Sequence, residues 1–180
     1  MTIREKAAMM KLDSSKMAST DITVRNAALE KIAESLLAGK ERIFEANAKD
    51  MERAQADNIL PAVIKRLKFS EAKLSDAIAG IHNLIALPDP LFQIQLKRQL
   101  DEGLTLIRET CPIGVIGVIF EARPDVISQI SALAIKSSNA VILKGGKESI
   151  NTNKEIMSII QEALDEIKEF PKNVLTQVFT

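Results

Sequence analysis

Twice between Cys111 and Ser149 an apolar run of strand length gives way to a polar turn and then to apolar residues at helical spacing. Few folds accommodate that order. The first run, Ile113 to Phe120, is broken only by Gly114 and Gly117, the composition expected of a strand buried on both faces. Pro124 then stands at a favoured first helical position, and Ile127, Ile130, Leu133 and Ala134 supply the stripe of a helix. Ala140 to Leu143 is a second short buried strand. Lys144-Gly145-Gly146 turns the chain, and Ile156, Ile160, Ala163, Leu164 and Ile167 stripe the next helix. Pro171 closes that connection before a third strand, Val174 to Phe179. The order β-α-β-α-β, with right-handed crossovers, makes half of a doubly wound, Rossmann-like parallel sheet, so the fold class is α/β.

Residues 1–90 read as the helical part of the same domain. Val24, Ala28, Leu29, Ile32, Leu36 and Leu37 form one stripe, with Arg25, Glu30, Lys31 and Glu34 mostly outside it. Asp21 or Thr23 caps its start and Gly39 ends it. A second helix covers Lys40 to Ala56, whose charges read as a solvated face. Pro61 opens a short helix through Leu67, Ser70 caps a longer one through Leu87, and Pro88 and Pro90 stop it. His82, in that last helix, reads either as a general base or, more plainly, as a packed or surface histidine. Residues 91–110 change texture: Leu104 and Leu106 alternate with polar residues and Asp101-Glu102-Gly103 looks like a turn, which predicts a strand or hairpin. Such a ribbon needs another edge to pair with, supplied by self-association or from within the chain. Residues 111–180 are then the βαβαβ unit. Its three strands leave an edge open.

The 180 residues carry 24 Lys+Arg against 24 Asp+Glu, so no net field attracts nucleic acid or an acidic membrane. With no Trp, no Tyr and six Phe, base-stacking platforms are scarce too. One Cys and one His cannot furnish a Cys/His zinc site, and one Cys cannot make an internal disulfide, so no metal is expected and a reducing, cytoplasmic setting fits. The N-terminal stretch is too often interrupted by charge for a signal peptide's core, and no apolar run approaches the roughly 20 residues that span a bilayer.

Ligands of doubly wound sheets sit beyond the carboxyl ends of the strands, where Glu121–Asp125 and Lys144–Ser149 form two loops. Lys144, Gly145, Gly146 and Lys147 offer two cations, close backbone approach and unpaired N–H groups to ribose hydroxyls or phosphate oxygens; the alternative is a tight turn whose lysines face water. The pattern is not a Walker loop, which needs Gly at Val141 and Ser or Thr at Glu148. Gly114 and Gly117 lie inside their strand, where close approach by a neighbouring helix or strand explains them better than a dinucleotide fingerprint. Arg123 is either a planar fork for a carboxylate or phosphoryl group or an ion-pair partner of Glu121 or Asp125. Cys111, before Pro112, falls at the amino end of the first strand, away from both loops, and reads as a small apolar residue.

PIGVIGVIFEARPDV together with NAVILKGGKES resembles the gamma-glutamyl phosphate reductases, or glutamate-5-semialdehyde dehydrogenases, of the aldehyde dehydrogenase superfamily. LEKIAESL, ANAKDMERA and RLKFSEAKL extend the similarity over nearly the whole chain. The resemblance implies an oxidoreductase of proline biosynthesis that uses NADPH to reduce L-glutamate 5-phosphate to the 5-semialdehyde through a cysteine thioester, releasing phosphate. It implies that Lys144 contacts the adenosine ribose; Lys147 is then well placed to meet the additional 2′-phosphate of NADPH, and Arg123, near where the superfamily builds its oxyanion and substrate environment, is assigned a substrate contact. It leaves room for a homo-oligomer and for functional coupling to glutamate 5-kinase. The family's catalytic cysteine belongs to a later domain and has no match here. The expectation is therefore an N-terminal, cofactor-facing portion, with no catalytic residue of its own and no turnover alone. The competing expectation is a non-catalytic nucleotide-binding or subunit-interaction module.

Overall fold

The computed structural model describes residues 2–179. Five helices come first: α1 (Ile3–Ala18), α2 (Ile22–Ala38), α3 (Lys40–Ala56), α4 (Pro61–Leu67) and α5 (Glu71–Ala86). Their boundaries follow local chemistry. Thr2 and Glu5 exchange side-chain and backbone hydrogen bonds in a capping box before α1, Asp21 caps α2 through the Thr23 N–H, and Ser70 caps α5 through the Lys73 N–H. Gly39 separates α2 from α3, and Pro61 occupies the first turn of α4.

A hairpin follows, β1 (Ile94–Asp101) antiparallel to β2 (Leu104–Glu109), turning at Glu102-Gly103 with Gly103 at φ +74°. Every residue of both strands is exposed, Leu96, Leu100, Leu104 and Leu106 included. The hairpin is pinned at its base, where the backbone of Thr110 bonds to that of Phe92 and Gln93. Beyond that base β1 has only β2 as its strand partner.

The second sheet is wholly parallel, in the order β3 (Val115–Ile119), β4 (Ala140–Lys144), β5 (Leu175–Gln177), with α6 (Asp125–Lys136) and α7 (Ile150–Asp165) as the crossovers. This is the expected βαβαβ order. Helices α6 and α7 pack against the sheet and against α2, while α1 crosses β3 and β4. The core runs through Leu29, Ile32, Leu36, Ile127, Ile135, Leu143, Ile156 and Ile160, each at most 1% exposed.

Four expectations are corrected. The strand after Cys111 is not buried on both faces: β3 has a single neighbour, and Ile113 and Ile119 are 82% and 79% exposed. Nor do Gly114 and Gly117 admit a close neighbour, since a Cβ at either would meet nothing within 4 Å. Gly114 is required instead by its φ of +113°. Arg25, placed outside the α2 stripe, is 2% exposed; its guanidinium donates to the Thr20 and Lys136 carbonyls and to the Asp89 carboxylate. A charge is tolerated there because each edge of the fork finds an acceptor. Pro124 also stands one residue earlier than expected, as the cap before α6.

Candidate functional site

Strand register places the two loops side by side. Ile119 pairs with Lys144, and the Phe120 N–H donates to the Lys144 carbonyl at 3.1 Å, so β3 and β4 end at the same level. The chain leaving β3 makes a left-handed turn at Ala122, which has φ +47° and is 2% exposed. That turn presents Arg123 to solvent before Pro124 and α6. The chain leaving β4 passes Gly145 and Gly146 and makes one 3-10 turn, Lys147–Ser149, into α7.

Both glycines are closely approached by side chains. A Cβ on Gly145 would collide with the Asn153 amide and press on the Phe120 ring, and one on Gly146 would collide with the Glu148 carboxylate. That carboxylate folds back over Gly146 and accepts the Ala122 N–H at 2.7 Å, a charge-assisted bond joining the two loops.

Two N–H groups at the start of α7 are already taken. Asp50 of α3, wholly buried, accepts from N and Nδ2 of Asn151 at 3.2 and 2.9 Å through one oxygen, and from N and Oγ1 of Thr152 at 2.8 and 2.7 Å through the other. A carboxylate from elsewhere in the chain thus occupies the position an anion would take at this helix end. Arg53, one turn along α3, donates to Asp50 at 3.1 Å and to the Lys147 carbonyl at 2.6 Å. The α3 charges are therefore not a solvated face throughout: Asp50 and Arg53 buttress the loop. Asn47 does the same from deeper in α3, bonding Thr152 Oγ1 at 3.1 Å and the Phe69 N–H at 2.8 Å. These residues escaped the sequence reading because an apolar stripe does not register polar partners about a hundred positions away.

For a ligand the two loops offer side-chain cations. Arg123 and Lys147 are exposed and Lys144 is half-buried, and among the described residues none of the three has an ion-pair partner. Asp125, one of the two carboxylates proposed to neutralise Arg123, faces Lys73 at 3.8 Å instead. Three cations without a direct ion pair at the carboxyl edge of a parallel sheet can attract an anionic ligand. A groove of about 810 Å³ lies elsewhere, between α1 and residues 168–173 at the amino end of β5.

Cys111 is exposed and precedes β3. The five residues of β3, at about 3.3 Å each, separate it by roughly 16 Å from the loop that carries Arg123. His82 is a surface residue, Nε2 3.5 Å from Glu30. No helix among the described residues is long and apolar enough to cross a membrane.

Comparison with protein-family models finds no match. Among curated proteins, the gamma-glutamyl phosphate reductase of Brachyspira hyodysenteriae is 52% identical over 169 residues, 92% of this chain and 39% of the relative. The chain thus spans about two-fifths of the length of the relatives it matches. Among solved structures, gamma-glutamyl phosphate reductase from Saccharomyces cerevisiae superposes with a TM-score of 0.93 at 35% identity, covering 97% of this chain and 45% of that one. A putative aldehyde dehydrogenase from Bacillus subtilis gives 0.72 at 18% identity, over 98% of this chain and 35% of its own. At that identity the last likeness shows the fold alone, which is aldehyde dehydrogenase-like.

Proposed function

From a chain homologous over nine-tenths of its length to the gamma-glutamyl phosphate reductases, we propose that it forms the cofactor-facing part of such an enzyme, the NADPH-dependent reduction of L-glutamate 5-phosphate to the 5-semialdehyde. The observation carrying this reading is the convergence of Arg123, Lys144 and Lys147, uncompensated, at the carboxyl ends of two parallel strands.

In this reading Lys144 holds the ribose of the nucleotide, and Gly145 and Gly146 keep the backbone low enough for it to approach. Lys147 meets the 2′-phosphate with its exposed side chain, while Asp50 holds the Asn151 and Thr152 N–H groups behind it. Arg123 orients the acyl phosphate with its planar fork. Bound NADPH supplies the hydride. The residues of this chain bind and orient; the cysteine that would carry the acyl group is not Cys111, which stands at the wrong end of β3. The 180-residue chain by itself therefore does not turn over.

Titration of the chain with NADPH, followed by calorimetry, tests the assignment. Lys144→Ala is expected to weaken binding by about tenfold, the loss of one charge-assisted contact. Lys147→Ala is expected to weaken NADPH while leaving NADH nearly unchanged. Equal loss for both nucleotides would remove the 2′-phosphate assignment, and no binding by the unaltered chain would remove the cofactor role.

The exposed hairpin favours a second, compatible role. Its alternating Leu96, Leu104 and Leu106 have no cover among the described residues, so β1 and β2 serve as a ribbon between subunits of a homo-oligomer. Light scattering that finds a monomer at high concentration would remove this role. Coupling to glutamate 5-kinase and a cytoplasmic location follow from the same reading of the pathway.

A further inference from the structure

Glu148 lies in the loop that the nucleotide reading concerns, yet its carboxylate faces the other loop. One oxygen accepts the Ala122 N–H at 2.7 Å, and the group rests on Gly146 where any side chain would displace it. Ala122 needs such a partner for two reasons. It is 2% exposed, so an unpaired N–H there has no water to turn to. It also holds a left-handed φ of +47°, a conformation that non-glycine residues keep only when their surroundings impose it. The next residue, Arg123, has no ion pair of its own among the described residues, so its direction is set by the turn that precedes it.

We propose that Glu148 is a positioning residue that ties the Arg123-bearing turn to the Lys144–Ser149 loop, so that the loop gripping one ligand also aims the residue meeting the other. The ligand half of this rests on reading Lys144–Lys147 as a nucleotide grip. The tie itself does not. It gives Gly146 a specific reason, since its φ of −69° and ψ of 160° are open to any residue and the atoms a side chain would meet first are those of the Glu148 carboxylate.

Amide exchange measured residue by residue on the full chain by NMR decides the matter. Glu148→Ala is expected to speed exchange at Ala122 by about tenfold or more, the equivalent of one charge-assisted hydrogen bond, while β4 amides keep their protection. Glu148→Gln keeps a carbonyl acceptor and is expected to restore most of the protection. Gly146→Ala, whose methyl competes only with the end of a flexible side chain, is expected to fold normally and to release Ala122 as Glu148→Ala does. Ala122 protection within about twofold of the unaltered chain in both alanine variants would overturn the tie, as would loss of β4 protection to the same degree. NADPH supplies the second arm: it is expected to shift the Ala122 and Arg123 amides in the unaltered chain and not in Glu148→Ala. Equal shifts in both overturn the transmission from one loop to the other. No shift anywhere counts against the nucleotide reading alone, and the exchange rates still judge the tie.

Discussion

Replacing Asp50 by alanine tests most directly how the loop after β4 is held. The carboxylate is wholly buried and accepts four hydrogen bonds from Asn151 and Thr152 besides its contact with Arg53. At a net 0.5–1.5 kcal/mol each, with a buried Thr152 N–H left without an acceptor, the loss comes to about 4 kcal/mol. A domain of this size has only about 5–15 kcal/mol to lose, so the variant should remain folded but lose about a quarter or more of its margin. The melting temperature should fall by about 8–16 °C, at about 2–4 °C per kcal/mol for this length. Urea unfolding followed by circular dichroism should show an earlier midpoint with an unchanged slope. Asp50→Asn keeps one carbonyl acceptor and should lose about half as much. A melting temperature for Asp50→Ala within about 3 °C of the unaltered chain would show that water replaces the carboxylate at no cost, and that α3 does not brace the start of α7.

Leu143→Ala in the central strand, at a fully buried site, should cost about 2–5 kcal/mol in the same urea assay. Ile119→Lys, a change the sequence alone would forbid, should cost less than about 0.5 kcal/mol, because that residue of β3 is 79% exposed. The Arg42 guanidinium, 2.9 Å from Glu162, and the Ser158 hydroxyl hold the Glu162 carboxyl down to about 2, so a carbon-detected titration of that carboxyl should place its midpoint there. Because the folded value lies below the ordinary one, whatever this α3–α7 clasp contributes is present above the ordinary carboxylate range and lost as pH falls through about 2. Arg42→Ala should return the midpoint toward the ordinary range.

Sequence alone determined what depends on neighbours along the chain. The start of α2 at Asp21, the break at Gly39, the entry to α4 at Pro61, the cap at Ser70 and the hairpin turn at Gly103 are each decided within a few residues by a side-chain cap, a fixed φ or a missing Cβ. The apolar runs and the turns between them likewise imposed the βαβαβ order and put Arg123 and Lys144 at strand ends. Tertiary structure decided the rest. An apolar run such as Ile113 to Phe120 records that a strand is apolar, not how many of its faces are covered; that depends on which elements flank it in space, and β3 came out as an edge. Polar residues leave still less trace, because a charge on a helix looks the same whether it meets water or a partner a hundred residues away. Hence Arg25, Asp50, Arg53 and Glu148 read as surface or loop. Folding makes of them a buried fork, a helix cap, a brace and the link between the two loops.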